Sequence, residues 1–159
     1  MRKMLLAPLI ACLVALVSML WMPAVSAKTL KCSFTMSYDV YPESGPNHPD
    51  VYGYWKGEIT GDIDGICYFW ETDKNYIVGK VEHFFEEFHI ALGNGDWISG
   101  YDKGVWNFAT FNFRAYGRVT AASENYAYMI GNFFFEKGTT TDPNLGLPIT
   151  GTGTSFIGP

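Results

Sequence analysis

Apolar and polar residues alternate along two stretches of the chain, residues 30–40 and residues 53–70. In the first stretch, every even-numbered residue is apolar or aromatic, and every odd-numbered residue is Lys, Ser, Thr or Asp. A period of two predicts β-strands with one face in a core and the other in water. In the second stretch, glycine occupies every fourth position from Gly53 to Gly65, and the other odd-numbered residues are apolar. Such spacing suits the curved inner wall of a small β-barrel.

The second stretch is too long for one straight strand, so Gly61 or Asp64-Gly65 is expected to bend or turn it. Further strands are predicted at 76–92, 97–101, 105–120, 126–136 and 149–157, separated by turns at 71–75, 93–96, 102–104 and 121–125 and by loops at 41–50 and 137–148. About eight strands and no convincing helix predict a single all-β domain. Closure into an eight-stranded antiparallel β-barrel would remove exposed sheet edges, and a β-sandwich is the competing architecture.

The first 27 residues have the pattern of a secretory signal peptide. Two basic residues precede an apolar run over residues 4–22, and Val25-Ser26-Ala27 forms a small-residue cleavage motif. We therefore expect a mature β-barrel domain of residues 28–159 that is secreted or periplasmic. An uncleaved membrane anchor is the alternative, because the apolar run is nearly long enough to cross a bilayer.

The mature chain is acidic and rich in aromatic residues. Without the two basic residues of the leader it has nine basic and sixteen acidic residues, a net charge of −7. This charge argues against nucleic acid and, after cleavage, against a membrane surface as partners. The 12 Phe, 10 Tyr and 5 Trp of the chain predict either a large core or an apolar cavity for a small molecule. The oligomeric state stays open, and a homo-oligomer is compatible with the sequence.

Cys32 and Cys67 are the two cysteines of the mature chain, and both lie on apolar faces of predicted strands. An even pair in an exported protein can form a disulfide, and we expect one here. Two buried free thiols are the alternative.

Glu87 and His89 are the candidate catalytic residues. They lie two residues apart on one strand face, ~6.6 Å along the backbone, close enough to share a ligand. A carboxyl group surrounded by aromatic rings would have a raised pKa and could donate a proton. If the same face points to solvent, the two are ordinary surface residues. We expect no metal here, because His83 lies ~20 Å from His89 along an extended strand.

Arg114 lies between Asn112 and Tyr116 on one face of a predicted strand. If that face is the inner one, the three residues would form a polar ligand anchor in an apolar cavity. If it is the outer one, the arginine would pair with the acidic surface. Trp55 and Trp106 are expected to line the cavity, with core packing as the alternative. No cofactor is expected, because the chain has no phosphate-binding loop, dinucleotide fingerprint or nucleophile elbow.

Glycine and aromatic spacing carries a resemblance to a known fold. The residues are Trp55-x-Gly57-x-Ile59-x-Gly61-Asp62-Ile63-x-Gly65, Glu87-Phe88, Gly100-x-x-x-Gly104-x-Trp106, Gly117-Arg118-Val119-Thr120 and Gly151-Thr152-Gly153. This layout resembles allene oxide cyclase and dirigent-type barrels, and bacterial spirotetronate cyclases are similar in plan. The resemblance implies an eight-stranded antiparallel barrel with an apolar pocket. It also implies a cofactor-free cyclase or isomerase that works by orienting its substrate. A lipocalin-like carrier and a filled barrel without a ligand are the alternatives.

Overall fold

The computed structural model describes residues 28–39 and 53–159. The predicted signal peptide and the predicted loop at residues 41–50 lie outside the described residues. None of the helices in the described ranges is long and apolar enough to cross a membrane.

The described chain folds into one antiparallel sheet that closes on itself. Its strands are β1 Leu30–Asp39, β2 Tyr54–Gly61, β3 Gly65–Glu71, β4 Tyr76–Val78, β5 Val81–Leu92, β6 Trp97–Asn107, β7 Asn112–Ala122, β8 Phe133–Thr140 and β9 Ile149–Gly158. The sheet order is β3-β2-β1-β9-β8-β7-β6-β5-β4, and β3 also pairs with β5. That last pairing closes eight strands into a barrel and leaves β4 as a short extra strand against β5. The predicted eight-stranded antiparallel barrel is confirmed.

The residues that face the inside and the outside of the barrel are those that the alternation predicts. On β1, the even-numbered residues from Leu30 to Met36 are buried and the residues between them are exposed. On the second alternating stretch, Ile59 and Ile63 are only 2% and 6% exposed. A turn over residues 62–64 divides that stretch into β2 and β3. The odd-numbered face of the glycine-spaced stretch is therefore the inner wall.

Inward glycines make room for phenylalanine rings from neighbouring strands. A Cβ atom added to Gly100 would lie 2.6 Å from the ring of Phe88 on the adjacent strand. Phe88 in turn stacks on Phe134 at 4.4 Å between ring centroids, and Phe69 lies about 6 Å from both. These three rings fill the middle of the barrel. Glycine spacing therefore serves to pack large rings in a narrow interior, rather than to leave it empty.

The structure differs from the predicted turns and strands in three places. The predicted strand at 126–136 begins only at Phe133, because a 3-10 helix occupies Glu124–Met129, and a second 3-10 helix lies at Pro143–Leu145 in the predicted loop. Residues 102–104 are not a turn: β6 runs without interruption from Trp97 to Asn107, and the chain reverses at residues 108–111 instead. Asp-Lys-Gly has the composition of a turn, but Gly104 lies against the ring of Phe84 within the sheet. The predicted strand at 76–92 is also divided, because Gly79 has φ 63° and turns the chain between β4 and β5.

The predicted disulfide is wrong, because Cys32 and Cys67 are both free, buried thiols. Cys32 lies opposite Gly61 and Cys67 lies opposite Gly57, so the two cysteines flank β2 from strands on either side and are offset along it. Two strands that have a third strand between them lie roughly 9–10 Å apart in the sheet. A disulfide needs Cα atoms within about 7 Å. The two cysteines act as small apolar residues of the inner wall, and burial raises the pKa of Cys67 to about 12.

Candidate functional site

One end of the barrel opens into a small cavity surrounded by aromatic and carboxyl side chains. We call the rings of Trp55, Phe84, Trp106 and Phe113 at this end the mouth. The cavity has a volume of about 30 Å³ and is lined by the mouth together with Met36, Glu71, Glu82, Glu86, Glu136 and Thr140. A water needs at least about 10–15 Å³ by this measure, so the cavity has room for one or two waters. Pockets for whole drug-sized ligands measure roughly 300–1,000 Å³.

The two tryptophans of the mouth are held in fixed positions. Their rings meet edge to face, with centroids 5.9 Å apart, and each residue is 8% exposed. Trp106 donates a hydrogen bond from Nε1 to Thr140 Oγ1 at 3.0 Å. Trp55 also packs against the ring of Tyr38 at 5.2 Å between centroids. Both tryptophans line the cavity, and ligand binding by them stays a prediction.

Tyr38 and Glu71 form a hydrogen-bonded pair at the edge of the mouth. The tyrosine hydroxyl donates to Glu71 Oε2 at 3.0 Å. Burial raises the pKa of Glu71 to about 7, and the charge of Glu82 adds to this rise while the tyrosine hydrogen bond opposes it. Burial and the neighbouring Glu71 carboxylate also raise the pKa of Tyr38. The pair therefore places a hydroxyl and a carboxyl group that changes charge near neutral pH beside the cavity.

Below the mouth, three acidic side chains from β5, β6 and β8 meet inside the barrel. Glu86, Asp102 and Glu136 are 5%, 2% and 2% exposed, and one carboxylate oxygen of each lies within 4.8 Å of the others. We call these three residues the carboxyl cluster. Glu86 and Asp102 are directly opposite one another in the ladder between β5 and β6. The three side chains thus bring three oxygens to one point.

Burial is the main cause of an altered pKa in the carboxyl cluster. It raises the pKa of Asp102 to about 8. It also raises the pKa of Glu86 and of Glu136, and in both cases the nearby Asp102 adds to the effect. No basic side chain among the described residues contributes to these shifts. Both carboxylate oxygens of Asp102 and Oε2 of Glu136 lack a hydrogen-bond partner, as does the hydroxyl of Ser155.

The positions of these acids follow from the period-two pattern of their strands. On β5, the inward residues are Glu82, Phe84, Glu86, Phe88, Ile90 and Leu92. On β6, Asp102 lies between two inward glycines, and on β8 Glu136 follows the buried Phe134 by two residues. An acidic residue flanked at both second neighbours by apolar residues or glycine is the signal for an inward carboxyl group. Sequence reasoning missed the cluster because it treated residues 102–104 as a turn and left the inner face of β5 unassigned.

The predicted catalytic pair lies on the outer wall. Glu87 is exposed, and His89 is half-buried outside the barrel. The histidine ring packs near Tyr68, Trp70 and Trp97, and its Nδ1 lies 2.7 Å from Ser99 Oγ. Neither side chain reaches the cavity, and the desolvated carboxyl group expected at Glu87 is found one residue earlier, at Glu86. A catalytic role for Glu87 and His89 on the outer wall stays a prediction.

Asn112, Arg114 and Tyr116 also lie on the outer face, because the inward residues of β7 are Phe113, Ala115 and Gly117. The structure therefore does not bring them to the cavity. Arg114 and Tyr116 line a surface depression of about 340 Å³ on the outer wall instead. Ligand binding by these three residues at that surface stays a prediction.

Comparisons with known proteins do not name a function for this chain. No protein-family model and no curated protein sequence matches it significantly. Among solved structures, it is similar to the crystal structure of a protein with unknown function from Clostridium acetobutylicum ATCC 824. The TM-score is 0.48 and the identity 15%, over 84% of this chain and 99% of that one.

Proposed function

We propose that the barrel binds a small, largely apolar molecule at the mouth. The observation that carries this proposal is the pair of fixed tryptophan rings, Trp55 and Trp106, around a cavity with carboxyl groups at its edge. Small-molecule sites commonly combine an apolar lining with a few convergent polar groups. Glu71 and Glu82 would favour a ligand whose inserted end donates hydrogen bonds or carries a positive charge.

The size of the cavity limits how such a ligand would bind. A volume of about 30 Å³ admits one small group and not a whole molecule. The apolar body would therefore rest on the outer edges of the mouth, while a compact end enters between the two tryptophans. This arrangement differs from a lipocalin-like carrier that encloses its ligand, although binding without catalysis would still make the protein a carrier or scavenger.

The proposal has a catalytic form, which the Tyr38–Glu71 pair favours. A hydroxyl and a carboxyl group joined by a 3.0 Å hydrogen bond can transfer a proton to or from a bound substrate. The allene oxide cyclase resemblance implies a cofactor-free cyclase or isomerase. Such an enzyme needs few catalytic groups besides a proton donor or acceptor, because orientation of the bound substrate supplies much of the rate. The leader-like pattern of residues 1–27 supports the further proposal that the protein works in the periplasm or outside the cell.

Binding can be tested with N-phenyl-1-naphthylamine, a neutral apolar compound that fluoresces when it leaves water. We expect the wild-type protein to bind it, and Trp106→Ala to weaken the affinity about tenfold or more, because a buried aromatic anchor is lost. Trp97→Ala, which removes a ring from the outer wall, is the matched control and should leave the affinity within about twofold. Trp55→Ala is the second mouth variant, for use if Trp106→Ala does not fold.

Two results would contradict the proposal. One is the absence of any fluorescence change with the wild-type protein. The other is equal affinity in the wild type and in a folded mouth variant, which would assign the probe to another surface. Tyr116→Ala distinguishes that case, because it removes a ring from the outer depression and leaves the mouth intact.

A further inference from the structure

Two members of the carboxyl cluster, Glu86 and Glu136, line the same cavity as the mouth, but the contacts proposed for the ligand are those of the tryptophans, Glu71 and Glu82. The cluster brings three acidic groups together without a basic partner among the described residues. Isolated buried carboxylates are costly, and they persist where they are protonated, paired or bound to a metal ion. The cluster therefore requires a neutralising partner of some kind.

The spacing of the oxygens fits a single ion. One carboxylate oxygen from each of Glu86, Asp102 and Glu136 lies within 4.8 Å of the other two. Oxygens that bind calcium lie about 2.3–2.6 Å from it, so two ligands of one ion are at most about 5 Å apart. The three strands thus hold the oxygens at separations that one central cation can bridge.

Unpartnered atoms around the cluster are a second, independent indication. Asp102 leaves both carboxylate oxygens without a hydrogen-bond partner, and Glu136 leaves Oε2 without one. Ser155 is 1% exposed, its hydroxyl is also unpartnered, and it lies directly opposite Glu136 in the ladder between β8 and β9. Directly opposite residues on one face have Cβ atoms about 4.5–5.5 Å apart. Buried polar atoms are nearly always satisfied, so four such atoms in one place point to a missing ligand.

We propose that Glu86, Asp102 and Glu136 bind one hard divalent cation, with the hydroxyl of Ser155 as a neighbouring oxygen ligand. Among the described residues, the atoms that meet here are carboxylate oxygens, without a histidine nitrogen or a cysteine sulfur. Such a donor set suits calcium, magnesium or manganese better than zinc or copper. The proposal goes beyond the ligand site at the mouth and does not depend on it.

A shared proton is the competing explanation. It would neutralise part of the negative charge, but it would leave lone pairs of Asp102 and the hydroxyl of Ser155 unsatisfied. It also makes a different prediction, because a cluster held together by protons would not respond to divalent cations.

Thermal unfolding of the metal-stripped protein distinguishes the two. We expect Ca²⁺, Mg²⁺ or Mn²⁺ at about a hundredfold excess over its Kd to raise the Tm by roughly 10 °C. Isothermal titration with the same cation should show one site per chain. Glu86→Gln and Glu136→Gln keep the side-chain shape, remove the charge, and should each lose the cation-dependent rise. Glu58→Gln removes an exposed carboxylate from the outer face of β2 and should keep it.

The proposal is overturned if none of the three cations raises the Tm of the wild-type protein or binds in the titration. It is equally overturned if Glu86→Gln and Glu136→Gln retain the full rise, or if Glu58→Gln loses it. Manganese titration followed by electron paramagnetic resonance measures binding in the wild-type protein alone, so the test stands even if one variant does not fold. Trp106→Ala should keep the cation response, which separates failure of this proposal from failure of the ligand site at the mouth.

Discussion

Two aspartates of the same barrel have opposite environments. Asp62, in the turn between β2 and β3, accepts a hydrogen bond from Lys28 Nζ at 2.6 Å and one from the backbone N–H of Lys31 at 2.9 Å. The Lys28 contact is the main reason that the pKa of Asp62 lies below its usual value. Asp102, inside the barrel, has no partner for either oxygen, and burial raises its pKa to about 8. Whether a carboxyl group lies on the outer or the inner side of the barrel wall therefore decides whether it has hydrogen-bond partners and in which direction its pKa shifts.

The difference between the inner and outer acids indicates which of them have a functional role. Elsewhere the inner wall is filled by rings packed over glycines, which is the arrangement that stability favours. Placing three acids in that interior costs free energy, and replacing buried charges by apolar groups often stabilises a protein. The outer carboxylates need no such explanation, because they are open to solvent and Asp62 also pairs with Lys28. Binding of a proton or a cation is the purpose that the inner acids serve best.

Removing a ring from the inner wall should have the largest effect on stability. Phe88 is 1% exposed and stacks on Phe134, so Phe88→Ala leaves a cavity and should lower the free energy of unfolding by about 3–5 kcal/mol. Tyr116→Ala on the outer wall, where the residue is 57% exposed, should change it by less than about 0.5 kcal/mol. Urea denaturation of both variants measures the contrast. Equal effects of the two substitutions would contradict the assignment of inner and outer faces.

The second-largest effect should be a dependence of stability on pH, caused by the inner acids. Their pKa values are higher in the folded than in the unfolded state, so the folded protein binds more protons between about pH 4 and pH 8. Stability is therefore greatest below the unfolded pKa of these acids and falls as the pH rises through about 7 for Glu71 and about 8 for Asp102. Asp62 and Asp96, whose pKa values are lowered, act in the opposite direction only at more acidic pH.

Urea denaturation in metal-free buffer at pH 5.5 and pH 8.5 measures this dependence. Glu71 alone should make the protein more stable at pH 5.5 by on the order of 2 kcal/mol. A protein that is equally stable at both values, or more stable at pH 8.5, would show that the inner carboxyl groups ionise as easily as those on the surface.

Much of the barrel could be predicted from the alternation of its residues, because burial of one face constrains every second position. Leu30 to Met36 and the glycine-spaced stretch around Ile59 have inner faces that are apolar without exception, and both were predicted correctly. Alternation does not identify an inner face that is not uniformly apolar. On β5, Glu82 and Glu86 interrupt the inward row, so the two faces look alike in sequence and the pattern does not distinguish the inward Glu86 from the outward Glu87.

The carboxyl cluster could not be predicted as a unit for a different reason. Its members come from β5, β6 and β8, and only the register of the closed sheet brings Glu86 opposite Asp102 and turns Glu136 toward them. Asp102 was further hidden by the lysine and glycine that follow it, which together have the composition of a turn. Pairing between distant strands is information that local patterns do not contain.

The smallest effect should come from exchanging single carboxyl groups on the two sides of the wall. In metal-free buffer at pH 8.5, Glu86→Gln should raise the free energy of unfolding by about 1–2 kcal/mol, because burial raises the pKa of Glu86, and glutamine removes the cost of burying a group that is ionised in the unfolded chain. Glu58→Gln, on the exposed face of β2, should leave it within about 0.5 kcal/mol of the wild-type value. Urea denaturation measures both, and repetition at pH 5.5 should shrink the gain of Glu86→Gln, because a carboxyl group with a raised pKa costs more stability the further the pH lies above its unfolded pKa. A loss of stability in Glu86→Gln at pH 8.5 would mean that Glu86 is satisfied by a partner within the folded chain, and the contrast between the inner and outer acids would then fail.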